Sequence, residues 1–243
     1  MVGARRASPA DRLVLWDIDL TLIQAGPIGR ELYAAAFEQA TGHPLRSRAD
    51  MAGRLEPDIF RDTIRAHDLD PGAHSFGRFA EALAAAYSSR FEDLRAQGRA
   101  LPGAAAALAA LAEVPGVVQT ALTGNVRSVA IVKLSAFALD DYLDLEIGAY
   151  GTDGHIRASL VGLARQRAGA KYGVAFDAAG TVLIGDTPND VAAGRGGGAL
   201  VVGVASGRST EAELQEAGAD LVLPDLTDTV ALVRAVAAGR RWA

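Results

Sequence analysis

Three short stretches of this 243-residue chain carry side chains that could do chemistry together. Asp17-Ile18-Asp19-Leu20-Thr21 follows a short apolar run, Leu13-Val14-Leu15-Trp16. Leu122-Thr123-Gly124-Asn125 ends a second run that starts at Val117, and Gly185-Asp186-Thr187-Pro188-Asn189-Asp190 ends a third that starts at Thr181. Together they offer four carboxylates, a threonine hydroxyl and a glycine-containing turn. Crowded carboxylates repel one another unless a cation sits among them, and a hard ion with oxygen ligands, Mg2+, suits that donor set. A Thr-Gly-Asn turn with free backbone N–H groups beside such an ion suits a phosphate group. Asp17 and Asp19 fall on one side of an extended segment, so one could attack phosphorus while the other handles protons.

Each stretch alone has an ordinary structural use. Asp17 or Asp19 could serve a turn or a helix cap, Thr123-Gly124-Asn125 could be a plain strand-to-helix turn, and Pro188 could simply open a helix. Their order, spacing and shared position at strand ends carry the chemical reading.

The elements that must hold these groups follow from the hydrophobic pattern. Buried strands are predicted at Leu13 to Trp16, Val117 to Leu122, Thr181 to Gly185, Ala199 to Val204 and Asp220 to Leu223, with a weaker candidate at Leu143 to Ala149. Helices are predicted over Pro102 to Glu113, Val126 to Ala138, Ala158 to Ala170, Thr210 to Ala217 and Leu226 to Ala238. Strands alternating with helices imply right-handed βαβ units and a parallel sheet, whose ligands bind at the carboxyl ends of the strands. From about Gln24 to Gln97 the alternation stops, and only helical patterns appear, at Ile28 to Ala40, Pro57 to Ala66 and Phe76 to Ala96. The expected fold is α/β, a Rossmann-like parallel sheet flanked by helices, with an all-helical insertion after the first strand. The core comprises residues 1–23 and 98–243, and the insertion residues 24–97.

Composition narrows the class. Half the residues are hydrophobic and 22% are charged, which excludes wholesale disorder. A net charge of -5 argues against a general nucleic-acid binder. The absence of cysteine excludes disulfides, thiolate catalysis and cysteine-ligated zinc. Met1 to Arg12 carries charge with no apolar stretch behind it, so no signal peptide is expected. No run reaches the roughly 20 apolar residues of a membrane span, so a cytoplasmic location is the expectation. Only two lysines, Lys133 and Lys171, stand among 24 basic residues, so arginine is the default cation.

The three motifs, in this order, resemble those of the haloacid dehalogenase-like hydrolase superfamily, in the branch that includes phosphoglycolate phosphatase and β-phosphoglucomutase. Asp17 to Leu22 is similar to its D-x-D-x-T-L motif, Thr123-Gly124-Asn125 lies in its second motif, and Gly185 to Asp190 has its acidic G-D-T-x-x-D form. The resemblance implies that the insertion is a cap domain. It also implies a Mg2+-dependent phosphatase acting on a small phosphorylated metabolite through an aspartyl-phosphate on Asp17. Asp19 would serve as acid and base, Thr123, Gly124 and Asn125 would bind phosphate, and Asp17, Asp19, Asp186 and Asp190 would form the metal set. No membrane, nucleic acid or obligate protein partner is implied. A phosphosugar mutase, or a non-catalytic binding protein keeping the fold, are the alternatives; the second aspartate disfavours dehalogenation.

Two departures from the family stand out. Leu20 replaces the usual glycine at the point where the chain leaves the strand, where a positive φ is costly for leucine. The family also expects a cation, generally lysine, between the second and fourth motifs. Lys133 lies roughly 10 Å down its predicted helix from the catalytic edge, whereas Arg157 opens the next helix at that edge, so Arg157 is the preferred phosphate-binding cation. In the insertion, Gly53-Arg54-Leu55-Glu56-Pro57-Asp58 is a loose match to a substrate-facing G-x-T-D segment, with Arg54 expected as a solvated surface residue.

Overall fold

A computed structural model describes residues 12–238, and the charged N-terminal stretch discussed above falls outside them apart from Arg12. The chain forms β1 (Arg12–Trp16), β2 (Ile23–Gln24), α1 (Pro27–Thr41), α2 (Glu56–Arg65), α3 (Phe76–Ser89), α4 (Phe91–Gln97) and β3 (Arg99–Ala100). It continues through α5 (Ala104–Ala112), β4 (Val117–Ala121), α6 (Arg127–Ser135), α7 (Arg157–Tyr172), β5 (Thr181–Gly185) and α8 (Pro188–Gly197). It ends with β6 (Leu200–Val204), α9 (Glu211–Glu216), β7 (Leu221–Leu223) and α10 (Thr229–Ala238).

Five parallel strands make the main sheet in the order β4-β1-β5-β6-β7. The first strand therefore sits between β4 and β5, and the three motif-bearing strands are neighbours. Side chains of β1 alternate between two cores. Val14 and Trp16 pack toward α5, α6 and α10, against Leu108, Leu134 and Leu232. Leu13 and Leu15 pack toward α7, against Leu160, Val161 and Ala164. Burial on both faces explains why these strands read as continuous apolar runs rather than alternating ones. One polar group in this interior is fully used: Trp16 Nε1 donates to Gln119 Oε1 at 3.0 Å, and Gln119 Nε2 donates to the Leu108 carbonyl at 2.9 Å.

The helices α1 to α4 leave and re-enter the core side by side, because β2 and β3 pair antiparallel at Ile23↔Ala100 and Gln24↔Arg99. They have their own apolar centre, including Leu32, Phe37, Phe60, Phe79 and Leu83. Phe60 and Phe79 stack at 4.4 Å between centroids. Val129 and Ala136 of α6 join the same cluster, so α6 is the core helix on which the insertion rests.

Several expectations need correction. Leu143 to Ala149 is not a strand: a 3-10 turn at Asp140–Tyr142 is followed by irregular chain that touches the sheet edge through one bridge, Leu122↔Ala149. The segment is tied to β4 at its two ends only, by Asp144 N–H donating to the Gln119 carbonyl at 2.9 Å and Ala149 N–H donating to the Ala121 carbonyl at 3.0 Å, with Thr120 donating to the Asp144 carbonyl and Tyr150 to the Leu145 carbonyl. The Phe76 to Ala96 pattern is broken at Arg90, where φ −114° and ψ 34° leave the helical region, and α4 restarts so that Leu94 is buried. Lys171 belongs to the last turn of α7, where it pairs with Asp144 and Glu146. Leu20 does adopt a positive φ of 64°, the left-handed conformation that glycine would take without steric cost. The turn is held by Leu20 N–H donating to the Ile23 carbonyl at 2.7 Å and by Ser206 Oγ donating to the Leu20 carbonyl at 2.7 Å. Among the described residues no helix is long and apolar enough to cross a membrane.

Candidate active site

The three motifs meet at the carboxyl edge of the sheet. Asp17 follows β1 directly, and its backbone N–H continues the parallel ladder by donating to the Ile184 carbonyl at 2.9 Å. Asp186 follows β5, and Asp190 lies in the first turn of α8. Asp17, Asp186 and Asp190 are all buried, and each offers a carboxylate oxygen within 4.8 Å of the others. Thr21, fully buried, donates to Asp186 Oδ1 at 3.2 Å, which gives the threonine of the first motif its use.

Arg157 closes this cluster. It is the first residue of α7, and its Nη2 donates to Asp17 Oδ1 at 2.8 Å and to Asp190 Oδ1 at 2.5 Å. Asp190 Oδ2 accepts from the backbone N–H and hydroxyl of Thr187, the reciprocal capping box that opens α8. Burial, reinforced by Asp190 and only partly offset by Arg157, pushes Asp17 up to about 7. Burial and the neighbouring Asp17 and Asp190 push Asp186 up to about 8. Arg157 thus pairs with two of the three carboxylates, Asp17 and Asp190, and Asp17 and Asp186 are left short of positive charge. That shortage, with oxygen donors only, fits a hard divalent cation.

Residues 160–229 match the HAD-hydrolase-like family model. Over this segment the chain is similar to that family. A hydrolase from Pseudomonas syringae superposes with a TM-score of 0.66 at 23% identity, covering 93% of this chain and 99% of that one. A predicted phosphatase from Clostridium acetobutylicum gives 0.65 at 16% identity, with coverage of 93% and 98%. A predicted phosphoglycolate phosphatase from Haemophilus somnus gives 0.63 at 17%, with coverage of 92% and 98%. At these identities the structures establish a shared fold. No curated protein sequence matches the chain.

Within this site the second aspartate has a different environment from the first. Asp19 points to Lys133, whose Nζ lies 2.8 Å from both carboxylate oxygens, and Asn125 Nδ2 donates to Asp19 Oδ2 at 2.7 Å. Lys133 also donates to Asn125 Oδ1 at 2.8 Å, and Asn125 Nδ2 reaches Thr123 Oγ1 at 2.8 Å. Burial alone would raise Asp19, but Lys133, through its charge and hydrogen bonds, and Asn125 hold it below the usual carboxylate range. Burial opposes the Lys133 ammonium, but Asp19 outweighs it and its pKa is raised. Lys133 therefore does reach the catalytic edge. Distance along the helix axis misleads here, because helical side chains tilt toward the N-terminus and a lysine stem is long. Arg157 and Lys133 divide the carboxylates between them, the first holding Asp17 and Asp190 and the second holding Asp19. Asp19 accordingly stands outside the trio of side chains that could share a metal ion.

The insertion supplies the other wall of the cavity, which has a volume of about 760 Å³. Glu56 is 3% exposed at the start of α2, and its backbone N–H donates to the Gly124 carbonyl at 2.9 Å. Gly124 and Gly151 are required at this junction, since a Cβ on Gly124 would fall 1.9 Å from the Arg54 carbonyl oxygen and one on Gly151 1.9 Å from that of Gly124. Burial, partly offset by Lys133, pushes Glu56 up to about 7. Arg54 is not a solvated surface residue; it pairs with Asp62 at 2.5 Å and donates to the Asp50 carbonyl at 3.1 Å. Sequence reasoning also missed Gly207, where a Cβ would fall 1.8 Å from Asp186 Oδ2. Its only signal is a Ser-Gly pair just past a strand end, at the edge that holds the other motifs.

Proposed function

We propose that the protein is a Mg2+-dependent phosphatase that hydrolyses a small phosphomonoester through an aspartyl-phosphate on Asp17. The observation that carries this reading is the division of carboxylates at the sheet edge: Asp17, Asp186 and Asp190 crowd together with Arg157 paired to two of them, while Asp19 is held apart by Lys133. Asp17 and Asp186 would hold the ion, with Asp190 behind them. When bound, it would neutralise the phosphoryl oxygens and keep Asp17 ionised.

Asp17 keeps one oxygen on Arg157 and presents the other to phosphorus. Its attack forms the aspartyl-phosphate and breaks the ester P–O bond, and the leaving alkoxide takes a proton from Asp19. Asp19 is ionised in the ligand-free protein, so it gains that proton as the negative phosphoryl group arrives beside it, since a like charge raises a carboxyl pKa. In the second half-reaction Asp19 takes a proton from water, the water oxygen attacks phosphorus, and the Asp17–phosphorus bond breaks to release phosphate. Thr123, the backbone N–H groups of the Gly124-Asn125 turn, and Arg157 stabilise charge on the phosphoryl oxygens. Residues 24–97 serve as a cap that covers the site and excludes bulk water. A cavity of this size suits a small phosphorylated metabolite.

The test is hydrolysis of an aryl phosphate and a panel of phosphomonoesters with and without Mg2+, with acid-quenched trapping of phosphate on Asp17. Metal-dependent turnover with label on Asp17 is expected. Absence of turnover across the panel would remove the phosphatase reading. Transfer of the label to a second sugar phosphate rather than to water would make the protein a mutase.

A further inference from the structure

Asp153 and Arg167 form a bidentate ion pair that the reaction above does not use, and neither residue borders the cavity. Arg167 Nη1 and Nη2 donate to Asp153 Oδ2 and Oδ1 at 2.7 and 3.0 Å, and Nη1 also donates to the Gly148 carbonyl. The Tyr150 N–H donates to Asp153 Oδ2 at 2.9 Å, and the Asp153 N–H returns a bond to the Tyr150 carbonyl at 2.9 Å. Burial would raise Asp153, but Arg167 and the Tyr150 N–H hold it below the usual carboxylate range. One carboxylate thereby closes residues 148–153 into a loop.

The Thr123-Gly124-Asn125 turn rests on that loop. The Thr123 N–H donates to the Ala149 carbonyl at 3.1 Å, and the Gly151 N–H donates to the Asn125 carbonyl at 2.9 Å. The two segments pack so closely that a Cβ on Gly151 would meet the Gly124 carbonyl oxygen. Four residues after Asp153 the same stretch enters α7 as Arg157, the cation on Asp17 and Asp190. α7 therefore contributes twice. Arg157 at its first residue grips the carboxylates, and Arg167 leans back toward the loop, as helical side chains tilt toward the N-terminus. The two side chains are 33% and 21% exposed, a setting in which an ion pair adds little to stability. The fork and its backbone partners instead fix direction.

We infer that Asp153, clamped by Arg167, is a positioning residue: it touches no substrate, but it sets the loop that aims the turn amides and Arg157 at the phosphoryl oxygens. This rests on the phosphatase reading and adds to it two residues outside the three motifs.

The experiment compares Asp153→Ala, Arg167→Met and the double variant with wild type, on an aryl phosphate with Mg2+. The turn amides and Arg157 act on charge that develops during transfer, so kcat should fall by about tenfold or more while KM changes by less than about threefold. The double variant should be no worse than the more impaired single one, because both remove the same device. Arg167→Lys, which keeps the charge but not the fork, should recover part of kcat. The backbone amide resonances of Gly124 and Asn125 should move in Asp153→Ala. Lys171→Met, which breaks an ion pair on the same helix, should alter neither kcat nor these resonances. If Asp153→Ala does not fold, Asp153→Asn serves, with an expected loss of about threefold in kcat alone. A folded Asp153 variant with wild-type kcat, with a loss confined to KM, or with both resonances unmoved would overturn the assignment. So would losses that add in the double variant, or an equal loss from Lys171→Met. Failure of wild type to hydrolyse any ester would instead remove the phosphatase reading. The two resonances would then decide by themselves whether Asp153 positions the turn.

Discussion

Lys133 Nζ sits 2.8 Å from both carboxylate oxygens of Asp19, although the two residues come from different elements 114 positions apart. This pair sets the resting charge of the group proposed as acid and base. Replacing Lys133 with Met keeps the stem but removes the charge, so only Asn125 and Arg48 remain to oppose the burial that raises Asp19. The Asp19 pKa should rise, and the basic limb of the kcat/KM–pH profile, set by the acid that protonates the leaving alkoxide, should move to higher pH. Activity at neutral pH should fall by about 10- to 100-fold. Lys133→Arg should recover part of both effects. A profile that stays in place while activity falls would mean that Lys133 acts on packing instead.

Asp17→Asn should lower turnover by about a thousandfold or more, because the amide cannot form the acyl phosphate. It should not lower the melting temperature, since one of three crowded carboxylates is neutralised. Steady-state rates on an aryl phosphate and a thermal melt check the two halves separately. Full activity in this variant would remove Asp17 as the nucleophile.

Proton uptake at the acid cluster gives a pH dependence of defined sign. Asp17 and Asp186 have folded pKa values of about 7 and about 8, raised from 3.8. Protonated, they favour the folded state. Their contribution is fully present below about pH 4 and is lost as pH rises through 7 and 8. In chelator, the melting temperature should therefore fall across pH 6 to 8 more steeply in wild type than in Asp186→Asn. Added Mg2+ should raise it more at pH 8 than at pH 6, because metal competes with protons for these oxygens. Equal metal shifts at both pH values would exclude these carboxylates as the ligands.

The left-handed Leu20 costs roughly 1–2 kcal/mol relative to glycine, against the packing of a half-buried leucine side chain. Leu20→Gly should consequently change stability by no more than about 1 kcal/mol in either direction. Leu20→Ile, β-branched at the same φ of 64°, should be clearly destabilising. Denaturant unfolding of the two variants checks this.

Gly207→Ala places a methyl where Asp186 Oδ2 now lies, at 1.8 Å, so the carboxylate must move. Mg2+ affinity should weaken by about 10- to 100-fold, the usual cost of disturbing a ligand's surroundings. Calorimetric Mg2+ titration of the variant measures it. Unchanged affinity would show that Asp186 is not a ligand.

The strand ends were legible because burial on both faces writes a parallel strand as an apolar run, and the first residue after the run is then at the binding edge. Asp17 and Asp186 follow from that rule, whereas Arg157 was reached through a strand that does not form. Lys133 did not, because its reach depends on the backward tilt of a helical side chain rather than on its rise along the axis. Glu56 could be singled out only as a loose motif match. Its setting comes from the backbone bond to Gly124 and the charge of Lys133, in elements distant in the chain, and no local pattern records them. The missing strand at Leu143 to Ala149 has a similar cause: the segment bonds to the sheet edge only at Asp144 and Ala149, and an apolar pattern looks the same in a sequence whether or not a continuous ladder forms between them.

The two oxygens of Asp190 have separate duties, one terminating α8 and the other seating Arg157. Rotating the carboxylate to follow the guanidinium would uncap the helix. Asp190 is therefore a fixed seat for the Arg157 guanidinium. The first-turn amides of α8 should stay protected from hydrogen exchange with the site filled or empty.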